Sequence, residues 1–123
     1  MPIDHINLNV RDYGRSKQFY ELALKPLAYE LVLEFGTSGG FGKDGKPDFW
    51  VSQRGEPTVA HVALAAPDRA TVDAFYEAAI SAGGKDNGPP GPRPHYHENY
   101  YGAFVHDPDG NNIEAVCHRP ERA

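Results

Sequence analysis

Cysteine is almost absent: Cys117 stands alone in 123 residues, so no disulfide can close within the chain. Long apolar runs are missing as well, and none approaches the roughly 18 residues of a membrane-spanning helix, which argues against a membrane role. Charge of one sign is not concentrated anywhere. The 12 Lys and Arg and 17 Asp and Glu are scattered, for a net charge of −5, and leave no basic footprint for a phosphate backbone. Nucleic acid is therefore not an expected partner. The start, Met1 to His5, has neither the basic region nor the apolar stretch of a signal peptide, so the expected location is cytoplasmic.

What is present suffices for one domain over residues 1–123, since 40% of the chain is hydrophobic and can build a core without staples. An internal repeat organises it. Placing His5 over His61, a shift of 56, also brings Ile6 onto Val62, Leu8 onto Leu64, Asp12 onto Asp68 and Phe19-Tyr20-Glu21 onto Phe75-Tyr76-Glu77. Each half, about 1–56 and 57–123, thus begins in the same way.

Ile6, Leu8 and Val10 alternate with His5, Asn7 and Asn9, the period-two pattern of a strand with one apolar face, and Val62, Leu64 and Ala66 repeat it. Asp12 and Asp68 are suited to cap the following segments, in which Phe19, Leu22 and Ala23, or Val72, Phe75, Tyr76 and Ala79, recur at helical spacing. Strand-like runs follow at Leu27 to Phe35, Gly39 to Phe41 and Asp48 to Ser52, and again at Gly84 to Asn87, Asn99 to His106 and Asn112 to Cys117. Asp44-Gly45 and Asp109-Gly110 are hairpin-closing pairs. The fold class read from this order is α+β, two βαβββ modules forming a cupped mixed sheet. The stretch Pro90 to Glu98 is too rich in proline for a regular element and reads as a loop overhanging a site.

If the apolar faces of the first strands cover the helices, His5 and His61 project to the opposite, concave face. Ile113 and Ala115 point to the helix side, so Glu114 joins the two imidazoles, and Cys117 turns away as a small core residue. Two imidazoles and a carboxylate suit a divalent transition metal with open positions for water or substrate, whereas a closed structural zinc site takes four protein ligands. His5, His61 and Glu114 are the expected metal ligands.

These motifs, with Asp107-Pro108-Asp109-Gly110-Asn111-Asn112-Ile113-Glu114, resemble the vicinal oxygen chelate superfamily, which includes glyoxalase I, extradiol dioxygenases, fosfomycin-resistance enzymes and bleomycin-resistance proteins. The resemblance spans nearly the whole chain. It implies paired modules around a metal, with His5, His61 and Glu114 at the ligand positions. Glyoxalase I looks to have a fourth ligand, a glutamate on the last strand of its first module. Shifting Glu114 back by 65, the offset of the two Asp-Gly turns, gives Phe49, which cannot serve.

The resemblance further implies a metal-dependent enzyme acting on a small oxygenated substrate, dioxygenase-like or glyoxalase/lyase-like, using Fe, Mn, Ni, Co or Zn. The alternative is a metal-independent binding protein of the bleomycin-resistance type. It also implies a homodimer in which a site draws His5 from one chain and His61 with Glu114 from the other. His95, His97, Tyr100 and Tyr101 are the catalytic candidates, because imidazoles exchange protons near neutral pH and phenols hydrogen-bond oxyanions. Phe49, Trp50 and Phe104 are candidate cavity walls, although Trp50 is expected in the core and Arg93 in solvent.

Overall fold

The computed structural model describes residues 2–120. Among them the first module runs β1 (Ile6–Asn9), α1 (Tyr13–Ala23), a 3-10 turn (Lys25–Leu27), β2 (Glu30–Phe35), β3 (Ser38–Lys43) and β4 (Lys46–Ser52). The second runs β5 (His61–Ala65), α2 (Arg69–Ser81), β6 (Lys85–Asp86), β7 (Gly91–Pro92), β8 (Tyr101–His106) and β9 (Asn112–Cys117). Both helices start as the sequence predicts: Asp12 accepts from the Arg15 N–H at 3.2 Å and Asp68 from the Thr71 N–H at 2.8 Å.

Local chemistry shortens two of the expected strands and adds one. Leu27 closes the 3-10 turn and Ala28 takes a left-handed φ of 63°, so β2 begins only at Glu30. The run expected from Asn99 begins at Tyr101. The proline-rich stretch, expected to hold no regular element, pairs Gly91 and Pro92 with Gly102 and Tyr101 as a two-residue strand along β8.

The strands form two sheets, ordered β1-β4-β3-β2 and β5-β9-β8-β6, with β7 also on β8. In each, the helical crossover returns the chain so that first and last strands pair in parallel, β1 with β4 and β5 with β9. Leu8, Val10, Phe49, Val51, Ile113, Ala115 and Cys117 turn their side chains into one core with Phe19, Tyr20, Ala23, Val72, Phe75 and Ala79 of the helices. Burying each large member stabilises the fold by ~1.5–3 kcal/mol. Because α1 also contacts α2, the modules share that core and leave the opposite faces of both sheets uncovered by helices.

Candidate metal centre

Strand alternation sets the site on the second sheet. His61 opens β5, where it pairs in register with Asn112, and Ala63 pairs with Glu114. On the other side of β9, His106 pairs with Asn112 and Phe104 with Glu114. Two rows therefore cross the face away from the core: His61, Asn112 and His106, then Ala63, Glu114 and Phe104.

Glu114 is 1% exposed, an unusual place for a carboxylate, and both of its oxygens are engaged. Oε1 lies 2.8 Å from His61 Nε2, and Oε2 accepts from the Tyr100 hydroxyl. Such partners are what make a buried carboxylate tolerable. Gly102 makes room for them, since a Cβ there would stand 3.1 Å from the Tyr100 ring and 3.2 Å from Glu114 Oε2. Burial and then the hydrogen bond to the Glu114 carboxylate push the Tyr100 phenol well above its ordinary range. Beside the pair, the Asn112 side-chain oxygen is buried with no partner among the described residues.

The loop expected over the site is held against it. The Arg93 N–H donates to Tyr100 O at 2.7 Å, and the Arg93 guanidinium donates to Pro89 O at 2.7 Å. That guanidinium lies 5.5 Å from the Phe104 ring centre, so Arg93 is half-buried rather than solvated. His97 stands edge-on to His118 at 5.5 Å, and His118 edge-on to Tyr100 at 5.2 Å. His95 reaches the cluster through Tyr96, whose ring centre is 4.2 Å away. Tyr101 is not brought to the site: alternation sends it to the helix side, where its hydroxyl donates to Asp73 at 2.7 Å and Arg69 stacks at 4.9 Å.

His5 stands one residue before β1, exposed, with Nδ1 2.8 Å from Asp4 Oδ1. It opens on a cleft of about 360 Å³, lined by Asp4, His5 and Asp48 on one side and Val62, Ala63 and Leu64 on the other. Within the single chain His61 and Glu114 come together and His5 does not join them. Among the described residues no three His, Cys, Asp or Glu side chains are grouped closely enough to hold one ion. The His61–Glu114 pair itself fits a metal, since two neighbouring ligands of one ion, each about 2.1 Å from it, lie about 3 Å apart.

The residue of the first module that matches Glu114 differs from the expected one. The β3–β4 ladder steps from Phe41↔Phe49 to Gly42↔Pro47, a bulge that inserts one residue into β4. Beyond it Ile6 pairs with Phe49 as Val62 pairs with Ile113, so Phe49 matches Ile113 and Trp50 matches Glu114. Phe49 lies in the core, 5.0 Å from Tyr20. Trp50, expected in the core, is half-buried on the other face, near-parallel to Phe35 at 6.3 Å, and fits there because Gly40 beneath it has no side chain.

Three residues around the site carry little or no sequence signal. His118 continues the alternation of Glu114 and Val116, and Gly102 interrupts an otherwise apolar strand, a sign of close approach. Asp4 has no periodic signal at all.

Residues 28–115 match the family model described as the Glyoxalase/Bleomycin resistance protein/Dioxygenase superfamily. A glyoxalase/bleomycin resistance protein from Albidiferax ferrireducens T118 superposes with a TM-score of 0.83 at 28% identity, covering 93% of this chain and 97% of that one. A glyoxalase I mutant from Zea mays gives 0.72 at 27% identity, over 95% of this chain and 47% of that one. Lactoylglutathione lyase from Agrobacterium tumefaciens shares the fold, with a TM-score of 0.69 at 18% identity over 94% of this chain and 92% of that one. No curated protein matches the sequence.

Proposed function

Because the chain belongs to the Glyoxalase/Bleomycin resistance protein/Dioxygenase superfamily, we propose that it is a metal-dependent enzyme acting on a small oxygenated substrate, in a homodimer that completes each site. His61 and Glu114 of one protomer and the partner's His5 are the ligands in this reading. The observation that supports it is the 2.8 Å approach of His61 Nε2 to Glu114 Oε1, with that carboxylate buried at the floor of an open sheet face.

A bound divalent ion supplies Lewis-acid stabilisation of an anionic substrate oxygen. Tyr100 holds Glu114 Oε2, so Oε1 and His61 Nε2 are the atoms that would hold an ion. Phe104, at 9% exposure, walls the site and limits water on that side. His118 stands edge-on to Tyr100 and His97 edge-on to His118, a row of rings that closes the loop side of the site. With Trp50 at the register position that matches Glu114, the first module places no carboxylate there as ligand or base, which favours three-ligand chemistry over the glyoxalase I reaction. A cytoplasmic location belongs to the same reading.

The test is metal content in protein purified without chelator. Wild type carries metal, whereas His5→Ala and Glu114→Ala each lose it. Mixing the two variants after subunit exchange restores about a quarter of the wild-type content if sites are shared between chains, because half of the dimers then hold one whole site. Negligible metal in the wild type, with ligand binding intact, would transfer the protein to the metal-free binders.

A further inference from the structure

His61 and His5 occupy equivalent places in the repeat but are held by different means. His61 lies inside the β5 ladder, and the residue before it, Ala60, is pinned by its backbone: its N–H donates to Asn111 Oδ1 and its carbonyl accepts from the Asn112 N–H, both at 2.8 Å. His5 precedes β1, so no ladder orients it. The counterpart of Ala60 under the 56-residue shift is Asp4. Asp4 Oδ1 lies 2.8 Å from His5 Nδ1, and Asp4 Oδ2 accepts from Lys46 Nζ at 3.1 Å, from the first residue of β4. A side chain stands where the second module uses backbone.

We propose that Asp4, tethered by Lys46, is a positioning residue that accepts the Nδ1–H of His5 and so presents Nε2 as the metal-binding nitrogen. This rests on the reading of His5 as a ligand. Neutral imidazole carries its proton on one nitrogen only, and a carboxylate on Nδ1 selects the tautomer whose Nε2 lone pair is free. Ligating histidines are commonly fixed in this way, and loss of the partner weakens metal binding. Both imidazoles then use the same nitrogen, since His61 already turns Nε2 toward Glu114.

Two measurements on the full chain test it. The first needs no metal: long-range proton–nitrogen NMR at pH 8, with the His5 signals identified by their absence in His5→Ala. Wild type shows the Nδ1–H tautomer and Asp4→Ala loses that preference; a wild type dominated by Nε2–H overturns the proposal. The second is cobalt(II) titration. Asp4→Ala weakens binding by about 10–100-fold, whereas Asp4→Asn, which keeps an oxygen acceptor, stays within a few-fold of wild type. In a His5→Ala background Asp4→Ala costs nothing further, because its effect passes through the imidazole. An equal loss in both backgrounds overturns the positioning role while leaving the metal reading intact. A wild type that binds no cobalt(II), or His5→Ala that binds it as wild type does, overturns the metal reading instead.

Discussion

The hydroxyl of Tyr20, in the helix of the first module, donates at 2.5 Å to the carboxylate of Asp107 at the end of the second module's hairpin. Asp107 also accepts from the backbone N–H of Asp109 and of Asn111 and from the Asn111 side-chain amide. Asn111 in turn accepts from the Ala60 N–H, and Asp109 from the Arg11 N–H at 3.2 Å. The Asp107 to Asn111 turn therefore binds the modules to each other as well as closing a hairpin. Removing one donor to a buried carboxylate costs about 1.5–3 kcal/mol. Tyr20→Phe, which keeps the ring in the core, should lower stability by that amount in urea denaturation; an unchanged midpoint would show that the contact contributes nothing.

Alkaline pH should act through the same class of residue. Burial, reinforced by a hydrogen bond to Asp48, pushes Tyr29 up to about 12. Burial raises Tyr13 with Glu34 beside it, and raises Tyr20 with Asp107 beside it. An unfolded tyrosine titrates near 10. Above that pH the unfolded chain releases protons that the folded chain keeps, so stability present below pH ~10 is lost as pH rises toward and through the folded values. Absorbance at 295 nm should show at least these three of the seven tyrosines ionising late, with the denaturation midpoint falling from pH ~10 upward. Seven phenols titrating together near 10 in the native protein would contradict this.

Gly102 is predicted to matter for the site more than for the fold. A methyl group there meets the Tyr100 ring and Glu114 Oε2 at 3.1 and 3.2 Å, so both side chains must retreat by a few tenths of an ångström. The backbone is ordinary strand, so replacing glycine by alanine also removes freedom from the unfolded chain, worth ~0.4–1 kcal/mol. Gly102→Ala should therefore melt within ~1 kcal/mol of wild type yet bind cobalt(II) about tenfold more weakly. Wild-type affinity in this variant would mean that the Tyr100–Glu114 contact does not set the ligand geometry.

Much of the fold was legible because repetition carries its own alignment: once His5 overlies His61, the Asp caps and the apolar faces fall into place. Alternation likewise placed Glu114 and His61 on one face, since period two holds as long as a strand is regular. What failed to show in the letters is irregularity. The bulge between Phe41 and Gly42 moves the register of β4 by one, which exchanges Phe49 for Trp50, and no local motif marks it. Tyr101 follows Tyr100 in sequence, but only the start of β8 decides which of the two faces Glu114. Asp4 acts through a side-chain contact beyond the end of a strand, where periodicity says nothing.

The matched register of Trp50 and Glu114 leads to the last prediction. If the first sheet of one protomer faces the second sheet of its partner, position 50 approaches the same ion as His5 of its own chain. A carboxylate there would then add an anionic ligand. Steric cost is small, because glutamate is smaller than the indole it replaces and Gly40 beneath stays open. Trp50→Glu should bind cobalt(II) at least about tenfold more tightly than wild type, about 1.4 kcal/mol. Trp50→Gln, equal in shape and without charge, should show no such gain. Trp50 is the chain's single tryptophan, so in wild type its fluorescence should report cobalt(II) binding directly. Equal affinities for the Glu and Gln variants, with wild-type fluorescence indifferent to the metal, would place residue 50 away from the ion and remove the register argument for a shared site.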